Sequence, residues 1–169
     1  LISLPLGVLS AVYKGTWIDT LCTGVAVLGQ ATPVFWLGML LIQLFTVKLS
    51  WLPSSGMGGL THYVMPAFSL GFFTVAAITR LLRSSLLESM DSEYIKLARI
   101  KGLTEFKVVW KHALRNSLIS VITLGGIYIA ILITLGILVE VVFAWPGMGR
   151  LLFQGIVFRD FPLGPPGSL

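Results

Sequence analysis

The sequence predicts an all-α fold, a polytopic bundle of transmembrane helices, and three observations predict it. The 169 residues are 56% hydrophobic and only 11% charged, less than half the roughly 25% charged share of a soluble domain. Mean hydropathy is +0.92. Apolar runs recur along the chain between short polar or Gly- and Pro-rich segments, and at about 20 apolar residues per crossing they leave room for three or four spans. This composition excludes a disordered chain, a nucleic-acid arm and a disulfide-stapled secreted module. Cys22 is the sole cysteine, so no internal disulfide can form.

Leu1 to Val12 is apolar but too short to span a bilayer alone. It has neither an initiating Met nor a basic leading region, so it reads as the second half of a transmembrane helix and not as a signal peptide. Tyr13 to Thr20 reads as a short polar turn carrying Lys14 and Asp19, two loop charges with structural roles. Leu21 to Val47 is long enough to cross, with Pro33 in its middle. A proline there removes a backbone hydrogen bond and breaks the helix, and such breaks survive at membrane depth only inside protein or beside a watery cavity. Gln30 and Thr32 precede the break. They are candidates for a translocation path, or equally glue between helices.

Lys48 to Thr61 has the Pro, Ser and Gly content of an exposed loop, and its Trp51 suits a membrane interface. A further run, His62 to Leu82, returns across the membrane, and another, about Ser117 to Ala144, leaves again. Near the outer end of the latter, Glu140 lies among apolar neighbours. An intramembrane carboxylate is a functional candidate by default, and the alternative is a helix-end acid reaching the interface or pairing with Arg150. The Gly126 and Ala130 spacing reads as helix packing. The turn-prone Trp145-Pro146-Gly147 leads into an amphipathic stretch ending near Asp160. Residues 1–163 read as one transmembrane domain, and residues 164–169 as a disordered or aberrant tail.

Charge supplies the orientation. Of the twelve Lys and Arg, eight fall between Arg80 and Arg115, with four acids among them. Short loops rich in Lys and Arg stay in the cytoplasm, which places residues of about 80–116 inside. Nine basic residues then lie inside, and Lys48, Arg150 and Arg159 lie outside.

The inside segment, about 84–116, carries the most information. Asp91 or Ser92 can cap a helix with Glu93 in its first turn. Tyr94, Ile95 and Ala98 share a face, Arg99 and Lys101 suit the C-terminal end, and Gly102 is a natural left-handed terminator. Thr104 then caps a second helix with Phe106, Val109, Trp110 and Ala113 on one side. Two short helices hinged at a glycine make either a docking element for a soluble partner or an interfacial pair lying on anionic lipid.

Several ordered motifs bear on that choice: Ser50-Trp51-Leu52-Pro53, Arg80-Leu81-Leu82-Arg83-Ser84-Ser85, Glu93-Tyr94, Ala98-Arg99, Lys101-Gly102-Leu103, His112-Ala113-Leu114-Arg115-Asn116 and Trp145-Pro146-Gly147-Met148-Gly149-Arg150. With them the chain resembles the inner-membrane permease subunit of bacterial ABC importers, in the dipeptide, oligopeptide and nickel branch, from about Leu4 to Pro162. The family's cytoplasmic motif is Glu-Ala-Ala, three residues, Gly, nine residues, then Ile-x-Leu-Pro. It sets its second Ala on Ala98, its Gly on Gly102 and its Leu on Leu114, while Lys96, Leu97 and Arg115 depart from it. Relative to the family the chain looks truncated at both ends.

The resemblance implies a multi-pass protein of the bacterial inner membrane that imports di- or oligopeptides by alternating access. Nickel is the other cargo of the branch. It implies that residues 94–103 form a coupling helix seated on a separate ATPase, with Tyr94, Ala98, Lys101, Gly102 and Leu103 as the coupling residues. The implied partners are a second permease subunit in a heterodimer, ABC ATPase subunits, an extracytoplasmic binding protein and membrane lipid, with no nucleic acid. No cofactor is expected on this chain: it has no G-x-x-x-x-G-K-[ST] loop, so ATP is used by the ATPase partners. An enzyme would need a nucleophile and base, or metal ligands, in one place. His62 and His112 fall on opposite sides of the membrane, and neither an enzyme nor a metal site is expected. A lipid-binding scaffold or passive channel is the remaining alternative.

Overall fold

A computed structural model describes residues 2–56, 58–147 and 149. Every regular element among them is helical. Helix α1 is Ser3–Val12, α2 Trp17–Ala31 and α3 Val34–Leu41, which continues as a π-helical segment, Ile42–Lys48. Helix α4 is Thr61–Met90 and α5 Glu93–Ile100; α6, Glu105–Lys107, runs through a second π-helical segment, Val108–Ala113, into α7, Leu114–Val142. The expectations for the stretch to Asp160, for Arg150 and Arg159, and for the tail at 164–169 lie outside the described residues.

Local chemistry sets most of these boundaries. Thr32, ahead of Pro33, takes an extended conformation (φ −82°, ψ 117°), as the ring of a following proline demands, so one helix stops at Ala31 and the next starts at Val34. The turn between α1 and α2 is shorter than expected. Thr16 is extended (φ −95°, ψ 171°), so Trp17 to Thr20 belong to α2, and Asp19 sits in a helical first turn instead of a loop.

Helix α4 also runs eight residues beyond its expected end at Leu82. Leu82 and Leu86, one turn apart, are both fully buried, so its apolar face continues below the basic residues. At 30 residues α4 is about 45 Å long. It and the continuous run Glu105–Val142 are long and apolar enough to cross a membrane, and the helices flanking Pro33 make a third candidate if they form one broken span. Only 6% of the most apolar window of Glu105–Val142 is buried within the chain, against 28% for α4. Helices apolar all round suit hydrocarbon or another subunit's helices.

The chain divides into two compact units. The first holds residues 1–33 and 71–132. Its core joins Val8 and Ala11 of α1, Leu82 and Leu86 of α4, Ile95 and Ala98 of α5, and Val108, Val109, Ala113, Leu114 and Val121. The second holds residues 34–70 and the described part from Ile133. There Gly38 admits the Phe143 ring, which would lie 3.1 Å from a Cβ at that position. Gly56 N–H donates to the Phe143 carbonyl at 3.1 Å, and Tyr63 meets Trp145 edge to face with ring centroids 4.7 Å apart.

Candidate functional site

Helix α5 is fixed at both ends by its own sequence. Ser92 occupies the N-cap in an extended conformation, although its hydroxyl donates back to the Ser89 carbonyl and not forward into the helix. Glu93 in the first turn complements the helix dipole. It bonds the Lys96 ammonium at 2.7 Å, and that hydrogen bond raises Lys96 above its ordinary value. At the other end Gly102 has φ +77°. Its N–H donates to the Arg99 carbonyl at 2.9 Å, and the Leu103 N–H to the Ala98 carbonyl at 3.3 Å. These are the paired bonds of a Schellman cap, which needs a left-handed residue at that position. Arg99 then reaches over the turn to clasp both oxygens of Glu105, at 2.8 and 3.3 Å.

The faces of α5 differ from the expected arrangement. Ile95 and Ala98 point inward, 0% and 8% exposed, into the core beside Leu82, Leu86, Val108, Val109 and Ala113. The small Ala98 thus lets α5 approach its own scaffold closely. Tyr94 is only half turned away: its hydroxyl shares a 2.6 Å hydrogen bond with Ser89, and Ser89 also donates to the Ala113 carbonyl at 3.3 Å. Lys101 and Gly102 are exposed, and Leu103 packs against the core edge. Leu97 and Ile100, 56% and 81% exposed, complete an outward apolar face that the sequence reading missed. Their signal was present: apolar residues at 97 and 100 cannot share one helical face with 95 and 98.

In the following helix Phe106 and Trp110 are exposed, while Val108, Val109 and Ala113 are buried. The π-helical segment Val108–Ala113 shifts the inward set away from the side that a 3.6-residue period selects.

The three path candidates divide between the two units. Gln30 and Thr32 belong to the first. Gln30 is half-buried, and the Thr32 hydroxyl donates to the Leu28 carbonyl at 2.7 Å, satisfying itself within its helix. Glu140 belongs to the second unit, beside an open, mostly apolar cleft of about 290 Å³ lined in part by Tyr63, Leu70, Val139 and Trp145. Its carboxylate accepts the Gly149 N–H at 2.7 Å, and a Cβ on Gly147 would fall 2.2 Å from its Cδ. Glu140 therefore packs against the Gly147 backbone and holds the Gly149 N–H.

Asp19 is a further polar centre, 6% exposed. Arg83 Nε and Nη2 grip its two oxygens at 2.7 and 2.8 Å. Ser10 Oγ donates to it at 2.6 Å, Gly15 N–H at 3.0 Å and Thr23 Oγ1 at 3.2 Å. The cluster ties α1, α2 and α4 together, which gives Asp19 the structural role expected of it, within a helix.

Apolar helices of membrane-crossing length, with a short amphipathic helix held between two of them and its outer apolar face bare, define a polytopic α-helical membrane protein. The chain belongs to the family of binding-protein-dependent transport system inner membrane components, whose profile matches residues 3–169. It is an inner-membrane protein. It is 43% identical over 157 residues, 93% of its length, to the glutathione transport system permease protein GsiC of Escherichia coli (strain K12), of which it covers 51%. The protein of the same name from Pectobacterium atrosepticum is 42% identical over 160 residues, 95% of this chain and 52% of the relative. The chain thus spans about half the length of these curated relatives.

Proposed function

We propose that this chain forms the membrane-spanning part of an ATP-driven importer subunit that passes small peptides inward by alternating access. In this reading residues of about 80–116 are cytoplasmic, and α5 docks on a separate ATPase. A second permease subunit completes the pathway, and an extracytoplasmic binding protein delivers cargo. The observation that carries the reading is the divided surface of α5: Ile95 and Ala98 root it in the core while Tyr94, Leu97 and Ile100 stay uncovered. An eight-residue helix is held by the core behind it, and its bare apolar side chains suit a partner that covers them.

The coupling residues then divide by task. Tyr94, Leu97, Ile100 and Lys101 meet the ATPase. Gly102 and Leu103 set the angle of the helix through its cap, and Ala98 keeps it close to the spans. Closure of the ATPases pushes on α5, and Ile95 passes the push to the ends of α4 and α7. Glutathione, the cargo named for the relatives, is itself a small peptide, which supports peptide-type cargo over nickel.

The test is co-purification of the chain and a partner permease with the ATPase subunits. Proline at Gly102 cannot reach φ +77° and lacks the N–H that bonds Arg99. Gly102→Pro, and separately Leu97→Ser with Ile100→Ser, should lose the ATPase while the melting of the spans is unchanged. Equal retention by wild type and both variants would remove α5 as the docking site.

A further inference from the structure

Beside α5, a cleft of about 420 Å³ is lined by Tyr94, Lys111, His112, Arg115, Asn116 and Ile119. The cleft is open to solvent. Its chemistry is one-sided. Lys111 and Arg115 supply fixed positive charge, the imidazole and the Asn116 amide supply further donors, and no carboxylate lines it. The acids within α5 and α6 are already engaged, Glu93 by Lys96 and Glu105 by Arg99, and neither Glu88 nor Asp91 lines the cleft. Neither Lys111 nor Arg115 has an ion-pair partner among the described residues. Two unpartnered cations sharing one cleft repel each other, and an anion held between them removes that repulsion.

The surroundings select the kind of anion. The cleft sits at the foot of α7, where the polar segment gives way to the apolar span. Arg115, Ile119 and Ile122 follow the four- and three-residue spacing of one helix face, and both isoleucines are bare, 63% and 73% exposed. An anionic group seated among Lys111, Arg115 and Asn116 therefore has hydrocarbon-compatible surface rising directly from it. We infer that this cleft is a binding site for a phosphate group, and that its ligand is the headgroup of an anionic phospholipid whose acyl chains lie along Ile119 and Ile122. Lys111 and His112, four and three residues before Arg115, share its side of the helix by the same spacing.

The experiment is native mass spectrometry of the purified protein from micelles holding equal phosphatidylglycerol and phosphatidylcholine. The wild type should retain phosphatidylglycerol selectively. Lys111→Gln with Arg115→Gln should lower that selectivity about 25-fold, or about fivefold for each basic residue removed. Lys14→Gln with Lys107→Gln removes as much charge from exposed positions outside the cleft and should leave it unchanged. Lys111→Arg with Arg115→Lys should also retain it, which guards against a folding artefact.

No selectivity in the wild type, or an equal loss in the Lys14 and Lys107 variant, would overturn the site. Excess inorganic phosphate forms a third arm. If it binds the lipid-free protein and displaces the phospholipid, the ligand is a free anion and the lipid assignment falls. A variant at Lys111 and Arg115 that keeps its lipid but no longer co-purifies with the ATPase would make the cleft a protein interface and also overturn the inference. That outcome is separable from failure of α5 docking, which the Leu97 and Ile100 variants report.

Discussion

Replacing Asp19 by Asn tests whether the buried polar centre of the first unit is a charge pair or a set of donors built around a carboxylate. Asn keeps the size but converts one oxygen into an NH2 group. On one side that group would face Arg83 Nε, Ser10 Oγ and Thr23 Oγ1; on the other, Arg83 Nη2 and the Gly15 N–H. Either orientation sets donor against donor, and Arg83 loses its counter-charge. Breaking a buried pair by neutralising one member costs about 3–5 kcal/mol. The Arg83 side chain is 25% exposed, so water relieves part of that, and the expected loss is about 3 kcal/mol.

For a chain of this size that loss is a melting temperature about 6–12 °C lower in detergent, or an equivalent shift in an SDS unfolding titration. The diagnostic variant is the swap, Asp19→Arg with Arg83→Asp. It restores opposite charges but leaves the Ser10 hydroxyl and the Gly15 N–H facing a cation, so it should not rescue stability. A simple ion pair would be rescued. Recovery by the swap, or an Asp19→Asn loss below about 0.5 kcal/mol, the range of ordinary surface substitutions, would refute the reading.

Two other glycine-dependent contacts give sharp expectations. A Cβ on Gly29 would lie 2.5 Å from Ala76 Cβ, so Gly29→Ala should cost about 1–3 kcal/mol by overpacking. Ala76→Gly should restore much of it, whereas Gly24→Ala, in open space, should be neutral or slightly stabilising in the same melts. Glu140→Ala leaves the Gly149 N–H without its carboxylate acceptor. Hydrogen exchange at Trp145, Gly147 and Gly149 should therefore quicken by about tenfold, the effect of a lost hydrogen bond of about 1.4 kcal/mol. Gly147→Ala displaces the same carboxylate and should do the same. The two changes together should be no worse than Glu140→Ala alone, and additive effects would show that the glutamate does not act through the turn.

The features legible in the sequence are those that obey local rules. Pro33 forces Thr32 extended wherever its helix packs, and Gly102 supplies the left-handed residue that ends α5. Illegible features depend on partners far along the chain or on a departure from the ordinary helical period. Asp19 meets Arg83 across 64 residues, and nothing in either neighbourhood announces the pairing. The inward set Val108, Val109 and Ala113 differs from the expected Phe106, Val109, Trp110 and Ala113 because six residues are wound as a π-helix. Ala98 has the right size for a close approach, but the surface it approaches lies within the chain. Glu140 looked like an isolated acid in an apolar span; the readable hint of its role was the pair of glycines, Gly147 and Gly149, seven and nine residues later.

The lower end of α4 explains how a small helix could govern the spans under the proposed function. Within two turns, Leu82 and Leu86 hold the inward face of α5, and Ser89 bonds both Tyr94 and the Ala113 carbonyl. The Ser117 hydroxyl donates to the Ser85 carbonyl at 3.1 Å, and Arg83 holds Asp19 of α2. Apolar packing alone would let helices slide, since methyl groups exchange neighbours at little cost. Directional bonds on several faces of one short stretch fix register and rotation together. A displacement of α5 therefore cannot be absorbed locally by the end of α4. It must either break buried polar bonds, each costing about 1–3 kcal/mol to leave unmade, or move α2, α4 and the foot of α7 as a body. The second course keeps those bonds, and a rigid-body movement of that kind is what alternating access requires.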